Sequence, residues 1–78
     1  MEFAEKLKAM RGREGLTQTE FGGLVGISVN SVKKYEGGRF EMGYGALTKM
    51  LHHPRFTKYT LWLMTDCTAP DCGQISPL

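Results

Sequence analysis

A short run of polar and basic side chains carries the clearest binding chemistry in this sequence. These residues share one side of a helix predicted to begin after Ser28: Asn30, Ser31, Lys33 and Lys34. Val29, Val32 and Tyr35 recur at every third position, which predicts that the opposite side is buried. Amide, hydroxyl and ammonium groups on one exposed face can hydrogen-bond to phosphate oxygens and to base edges. The alternative for the two lysines is an ordinary solvated surface.

A second short helix is predicted immediately before this one and would position it. Thr17 and Glu20 have the T-x-x-E spacing of a capping box, so this helix begins after Thr17. Gly26 can take the positive φ of a sharp turn, and Gly22 lies where the crossing helix is expected to approach closest. Two short helices joined at a glycine turn, the second one basic on its outer side, predict a helix-turn-helix. The second helix would then enter a DNA major groove.

These residues resemble the phage-repressor and Cro-like helix-turn-helix proteins, also described as lambda-repressor-like or XRE-type. The family's usual run is apolar–polar–Gln–x–Glu–apolar–small, then apolar–Gly–apolar–Ser/Thr, then the recognition helix and Glu–x–Gly–basic. Here it reads LTQTEFG over 16–22, VGIS over 25–28 and EGGR over 36–39. The resemblance covers about residues 2–65 and implies an all-α, compact bundle of five short helices. Gly23 departs from it, because the family usually has a helix former at that place.

The resemblance implies which residues contact DNA. Base reading falls to three residues of the recognition helix: Val29, Asn30 and Lys34. Asparagine matches adenine N6 and N7, lysine favours guanine O6 and N7, and a valine methyl can lie against a thymine methyl. Phosphate contacts are expected from the start of the preceding helix and from nearby polar groups: Thr17, Gln18, Ser31, Lys33, Arg39 and Tyr44. Asn30 is the foremost candidate, and its alternative is an ordinary exposed polar residue near a helix start. From the residues alone, Val29 is as readily a core residue.

The resemblance also implies a partly buried ion pair that joins two helices. Arg11, near the end of the first predicted helix, is expected to pair with Glu36, which ends the recognition helix. Removing one partner of a buried pair costs about 3–5 kcal/mol, whereas an exposed pair contributes little. The alternative is an unpaired arginine on the surface.

Helical periodicity predicts three more helices around this motif. The first spans residues 2–12, with Lys6 among the residues that face water; the fourth spans 43–52 and is ended by Pro54. The fifth runs from Lys58 to about Met64, with Thr57 as its cap. After residue 65 the composition shifts to Asp, Pro, Gly and Ser, which predicts a DNA-binding domain over 1–65 and a flexible tail over 66–78.

An apolar surplus in the fifth predicted helix indicates a homodimer. Tyr59, Trp62 and Leu63 are not expected to fit together in so small a core, so they are assigned to a dimer surface. The alternative is that Trp62 closes the core. One such module buries only about 600–1,000 Å² on DNA, and paired half-sites are usually read by dimers. A homodimer predicts a pseudo-palindromic operator with half-sites about 34–36 Å apart.

Composition excludes several other classes of function. The 78 residues allow one small core, and their net charge of +2 leaves room for a local basic face. No apolar run approaches the roughly 20 residues of a membrane span and no signal peptide is evident, so a cytoplasmic location in a bacterial or phage-infected cell is expected. The sequence holds no Ser–His–Asp set and no phosphate-cradling glycine loop, so no enzyme activity and no cofactor are expected.

The two cysteines, Cys67 and Cys72, lie in the predicted tail with C-x4-C spacing. Free thiols in a reducing compartment are the expectation, and a redox-switched disulfide is the alternative. A zinc site would need His52 and His53 as further ligands, and neighbouring residues on one helix point about 100° apart. No metal site is therefore expected.

Together these features predict a sequence-specific regulator that binds double-stranded DNA, similar to stand-alone Cro-like or autoregulatory repressors. The alternative is an antitoxin-type or accessory regulator, in which helix 5 or the tail would hold a protein partner. Co-purification of such a partner would distinguish the two.

Overall fold

The computed structural model describes all 78 residues, which form five short α-helices and no β-strand. The helices are α1 (Phe3–Arg13), α2 (Gln18–Val25), α3 (Val29–Glu36), α4 (Tyr44–His52) and α5 (Thr60–Thr65). Single 3₁₀ turns lie at Thr57–Tyr59 and Pro70–Cys72. The predicted all-α bundle of five helices is confirmed. None of these helices has the length and apolar character needed to cross a bilayer.

One apolar core connects the helix-turn-helix to the C-terminal helices. It is built from ten buried side chains, to which every helix contributes: Leu7, Met10, Phe21, Val25, Val32, Met50, Phe56, Tyr59, Trp62 and Leu63. The rings of Phe21 and Phe56 meet edge to face with their centroids 5.1 Å apart. This contact packs α2 against the segment between α4 and α5.

The predicted capping residues begin α2 and α3. The Thr17 hydroxyl accepts from the Glu20 N–H (3.1 Å), and the Glu20 carboxylate accepts from the Thr17 N–H (2.9 Å), so the capping box is complete. The Ser28 hydroxyl accepts from the Ser31 N–H at 3.2 Å and starts α3. Between the two helices Gly26 has φ +75°, the positive value the turn requires.

Gly22 lies at the closest approach between α2 and the turn that leads into α3. The Ile27 N–H donates to the Gly22 carbonyl at 2.9 Å. A Cβ at Gly22 would overlap the carbonyl oxygen of Ile27. Glycine at this position therefore sets how tightly the two helices join.

The fifth helix begins later than predicted. Residues 57–59 form the 3₁₀ turn, and α5 starts only at Thr60. The Thr57 hydroxyl does not cap α5; it lies 2.6 Å from the carbonyl oxygen of Leu51 and 3.1 Å from that of His53. The Leu51 carbonyl lies in the last turn of α4, which ends at His52, so it has no helical partner and the Thr57 hydroxyl supplies a donor.

Lys6 is buried, although the periodicity placed it in water. Its ammonium donates to the carbonyl oxygens of Trp62 (3.2 Å) and Leu63 (3.3 Å) and pairs with the carboxylate of Asp66. It also lies 5.1 Å from the centroid of the Trp62 ring. The prediction was wrong because the last carbonyls of α5 need donors, and a cation at a helix C-terminus is favoured.

The three apolar residues assigned to a dimer surface all lie in the core of the single chain. Tyr59, Trp62 and Leu63 are only 1%, 6% and 4% exposed. The expectation that they could not fit together is wrong, because α5 packs directly on α1 and the Tyr59 hydroxyl finds a partner in Glu14 at 2.6 Å. Tyr59 and Trp62 offer no free surface to a second subunit, whereas Leu63 also lines a surface groove.

The segment after α5, predicted as a flexible tail, folds back on the start of that helix. The Gln74 side chain accepts from the Leu61 N–H (2.9 Å) and donates to the Thr57 carbonyl (3.0 Å). The Ile75 N–H donates to the carbonyl of Lys58 at 2.8 Å. These bonds satisfy backbone groups of the 3₁₀ turn and of the first turn of α5, in the role of a cap. Both cysteines of this segment are exposed and unpaired.

Candidate nucleic-acid interface

The polar face of α3 is exposed because the opposite side of the helix is held in the core. Val32 and Glu36 are buried, and Tyr35 is half-buried. The side chains between them on the helix surface therefore point to solvent: Asn30, Lys33 and Lys34. An α-helix with its side chains is about 10–12 Å across, which fits the major groove of B-DNA, about 12 Å wide.

The residues predicted to read bases share the exposed side of α3 to different extents. Asn30 is exposed in the first turn, where the amide can meet a base edge. Val29 is half-buried, so part of its side chain packs on the fold and part remains exposed to solvent. Lys34 is exposed, and its ammonium lies 5.3 Å from the centroid of the Phe40 ring, a cation–π distance.

The residues predicted to bind phosphate fall into two groups. Lys33, Arg39 and Tyr44 are exposed. In the other group local hydrogen bonds already hold the side chain: the Thr17 hydroxyl caps α2, and the Ser31 hydroxyl accepts from that of Ser28 at 3.0 Å. The first group is the one placed to reach a ligand without rearrangement.

Gln18, the remaining phosphate candidate, bonds within the protein through one end of its amide. Its Nε2 donates to the Glu36 carboxylate at 3.2 Å. An amide nitrogen carries two hydrogens, so one donor of this group stays available at the start of α2. The residue therefore links the beginning of α2 to the end of α3.

The structure brings Arg11 and Glu36 together in a two-pronged ion pair. The Arg11 Nε lies 2.7 Å from Glu36 Oε2, and Nη2 lies 2.9 Å from Oε1. The third guanidinium nitrogen donates to the Leu16 carbonyl at 2.9 Å, just before α2. The Glu36 side chain is only 2% exposed, and its hydrogen bonds raise the pKa of Arg11 further above its ordinary value. The pair thus fixes α1, α2 and α3 relative to one another.

A second cluster, which the sequence did not indicate, fixes the end of α1 to the start of α5. The Glu14 carboxylate accepts from the Tyr59 hydroxyl (2.6 Å) and Arg55 Nε (3.1 Å), and lies 3.0 Å from the Lys58 ammonium. The Tyr59 hydrogen bond is the main cause that lowers the pKa of Glu14 to about 2. Burial, followed by that same bond, raises the pKa of Tyr59 to about 12. No spacing signal predicts this cluster, because Glu14 is 41 to 45 residues from its partners.

The contact between Lys34 and Phe40 was also missed from the sequence. Its only signal is an aromatic residue six positions after a lysine, and the two glycines between them leave the path of the chain open. In the structure Phe40 is 56% exposed beside the end of α3. Its ring therefore limits where the Lys34 ammonium can lie.

Two crossing helices with a tight glycine turn and an exposed polar face on the second helix define a helix-turn-helix of the DNA-binding kind. Residues 2–57 match the family model described as "Helix-turn-helix domain". Over 74 residues the chain is 39% identical to "Repressor protein C" of Escherichia phage P2, a match that covers 95% of this chain and 75% of that protein. The chain therefore belongs to the phage-repressor-like helix-turn-helix family, whose members are DNA-binding transcription regulators and not enzymes.

Proposed function

We propose that this protein is a sequence-specific repressor that binds a pseudo-palindromic operator as a homodimer. The observation that carries the proposal is the exposed first turn of α3, held at a fixed angle to α2 by the Arg11–Glu36 pair. The name of the phage P2 relative, a repressor protein, supports repression as the direction of control. A Cro-like or autoregulatory repressor of this kind acts by occupying a promoter and excluding polymerase.

Base reading in this proposal centres on Asn30. Its exposed amide, two residues after the Ser28 cap, can donate to adenine N7 and accept from adenine N6. Lys34 reads guanine from the next turn, guided by the Phe40 ring, and Val29 contacts a thymine methyl. Each good bidentate contact is worth about 1–3 kcal/mol of discrimination.

Phosphate binding in this proposal surrounds the base-reading turn. Lys33, Arg39 and Tyr44 contribute exposed side chains, and Thr17, Gln18 and Ser31 contribute through the helix starts. Gln18 uses its second amide hydrogen, so the phosphate contact and the bond to Glu36 coexist. With three or four basic groups per subunit on phosphates, the log–log salt slope of a dimer is about −5 to −7.

Selection of bound fragments from randomised duplex DNA at about 0.15 M salt tests the proposal. The wild-type protein is expected to enrich an inverted repeat with half-site centres about 34–36 Å apart. Asn30→Ala should relax the preference at one base pair in each half-site, by about tenfold or more. Lys33→Ala is the matched control: it should weaken binding to all sequences alike and reduce the salt slope.

Two results would contradict this assignment at different levels. Enrichment of the same repeat by Asn30→Ala, with no relaxed position, would keep the repressor and remove Asn30 as a reader. Weak, salt-sensitive binding with no enriched sequence would reject the stand-alone repressor. An accessory regulator that acts through a protein partner would then be the better description.

A further inference from the structure

An apolar groove opens on the side of the domain where α1, the α3–α4 loop and α5 meet. Its volume is about 680 Å³, and the side chains that shape it are Phe3, Tyr35, Phe40, Met42, Leu47 and Met64. Phe40 and Met64 are each 56% exposed. Large apolar side chains left in solvent around a concave surface are typical of a binding surface rather than of scattered surface residues.

The charges around the groove are balanced in sign. Glu2 and Glu41 line it together with Arg39, and the Lys34 ammonium lies against the Phe40 ring, 5.3 Å from its centroid. A nucleic acid would meet the two carboxylates, and a strongly charged peptide would meet like charges whichever its sign. A patch that faces a copy of itself across a two-fold axis can use both signs, because each acidic group can meet a basic group of the other copy.

The composition of the groove is also that of a protein–protein interface. Aromatic residues, methionine and arginine are enriched in such interfaces, and Phe40, Met42, Met64 and Arg39 supply them here. The size of the chain also favours association, since a 78-residue domain buries only about 60% of the surface of its unfolded chain and is marginally stable alone.

The groove is placed so that a second subunit leaves the base-reading turn open. Tyr35, in the last turn of α3, lines the groove, and the Lys34 side chain reaches its edge at Phe40. Asn30 lies five residues before Tyr35, about 7–8 Å along the helix axis. A partner in the groove therefore sits beside the recognition helix and not in front of its first turn.

We propose that this groove is the surface through which two copies of the chain associate, with Phe40 and Met64 of each copy at its centre. This assignment rests on the homodimer of the proposed function and gives that homodimer a surface. It replaces Tyr59 and Trp62, which the core already holds, while Leu63 lines the groove.

Sedimentation of the full chain, from about 5 µM to about 500 µM, measures the association directly. The wild-type protein should pass from monomer to dimer within this range. Met64→Glu and Phe40→Asp should each raise the dimer Kd at least tenfold, because each puts an unpaired charge at the centre of the interface. Leu78→Glu, at a residue that is 79% exposed and outside the groove, is the matched control and should associate like the wild type. Thermal unfolding followed by circular dichroism confirms that each variant is folded.

A wild-type chain that stays monomeric throughout would overturn the proposal, as would groove variants that dimerise like Leu78→Glu. Binding to a single half-site and to the full inverted repeat separates this inference from the proposed function. Met64→Glu, whose residue has no part in the proposed DNA contacts, should keep half-site affinity and lose cooperative binding to the repeat. If neither the wild type nor the variants bind DNA, but the wild type dimerises and the groove variants do not, the proposed function fails and the interface stands.

Discussion

The helix-turn-helix and the C-terminal region are held by hydrogen bonds of different range. In α2 and α3 the caps join residues only three apart, Thr17 with Glu20 and Ser28 with Ser31. Around α5 polar contacts join residues that are far apart in the sequence: Lys6 bonds to Trp62, 56 residues away. Local caps form together with their helix, whereas contacts of the second kind form only when the chain has folded as a unit.

This difference separates two uses of charge in one small domain. The lysines of α3 stay in solvent, where they can attract phosphates. Lys6 and Glu14 are drawn inward, where they satisfy backbone carbonyls and a tyrosine hydroxyl. The Arg11–Glu36 pair crosses this division, because it is a long-range contact inside the DNA-binding half. Substitution in the Arg11–Glu36 pair should therefore have the largest effect on stability.

Arg11→Met is expected to destabilise the fold by about 3 kcal/mol. The substitution keeps much of the apolar stem but leaves the Glu36 carboxylate, 2% exposed, without its cation. Urea unfolding followed by circular dichroism measures the change as a lower midpoint with an unchanged slope.

The double variant Arg11→Met with Glu36→Leu is the control for this prediction. Removing both charges should recover most of the lost stability, because no uncompensated carboxylate remains in the interior. A loss of less than about 1 kcal/mol in Arg11→Met alone would instead class the pair with exposed salt bridges. The DNA-binding half would then contain no long-range ion pair that contributes strongly to stability.

The Glu14 cluster predicts a loss of stability in acid. The pKa of Glu14 in the folded protein is about 2, below its ordinary value of 4.5, so the carboxylate stabilises the fold fully above pH 4.5. This contribution should fade as the pH falls from 4.5 toward 2, with a total of about 2 kcal/mol. The figure is below the full shift because Arg55 and Lys58 are 41% and 37% exposed and solvent screens them.

Urea unfolding at a series of pH values tests this, with Glu14→Gln as the control. The variant should be less stable at neutral pH and should lose less on acidification. Glu20 and Asp66, whose pKa values are also lowered by hydrogen bonds, contribute a smaller acid dependence that remains in the variant. Equal acid dependence in both proteins would show that Glu14 is not the group responsible.

At alkaline pH the raised pKa of Tyr59 has the corresponding effect. The contribution of Tyr59 to the free energy of unfolding is complete below pH 10 and is lost as the pH rises toward 12.

The features that could be predicted from the sequence are those with a short-range signal. Thr17, Ser28 and Gly26 each act on residues within three positions, so spacing alone identified the two helices and their turn. The Arg11–Glu36 pair spans 25 residues and was indicated only by the resemblance to a family. Spacing carries no information about a partner so far along the chain.

The C-terminal region holds the contacts that could not be predicted from the sequence. Lys6 looks like a solvent residue by its helical position, and only the packing of α1 on α5 turns it toward the free carbonyls. Tyr59, Trp62 and Leu63 looked too large for the core because the space between α1 and α5 is a property of the fold. The same holds for the Gln74 cap, whose side chain meets a backbone group 13 residues earlier.

Two neighbouring glycines give the smallest and most local test of this comparison. Gly23, which has no match in the family pattern, lies in α2 with nothing within 4 Å of a Cβ built on it. Gly23→Ala should therefore stabilise the protein by about 0.5–1 kcal/mol, because alanine loses less backbone entropy in a helix. Urea unfolding at neutral pH measures the gain.

Gly22→Ala is the matched control, one residue away in the same helix. Its Cβ would overlap the Ile27 carbonyl oxygen, a backbone atom that cannot move without opening the turn, so a loss of about 1–3 kcal/mol is expected. A gain in stability at Gly23→Ala with a loss at Gly22→Ala would show that helix propensity decides the effect on the outer side of α2. On the inner side, the close approach of the turn would decide it. Equal losses would mean that Gly23 is also needed by the fold. A gain in stability at Gly23→Ala together with weaker operator binding would mean that the glycine is kept for close approach of DNA.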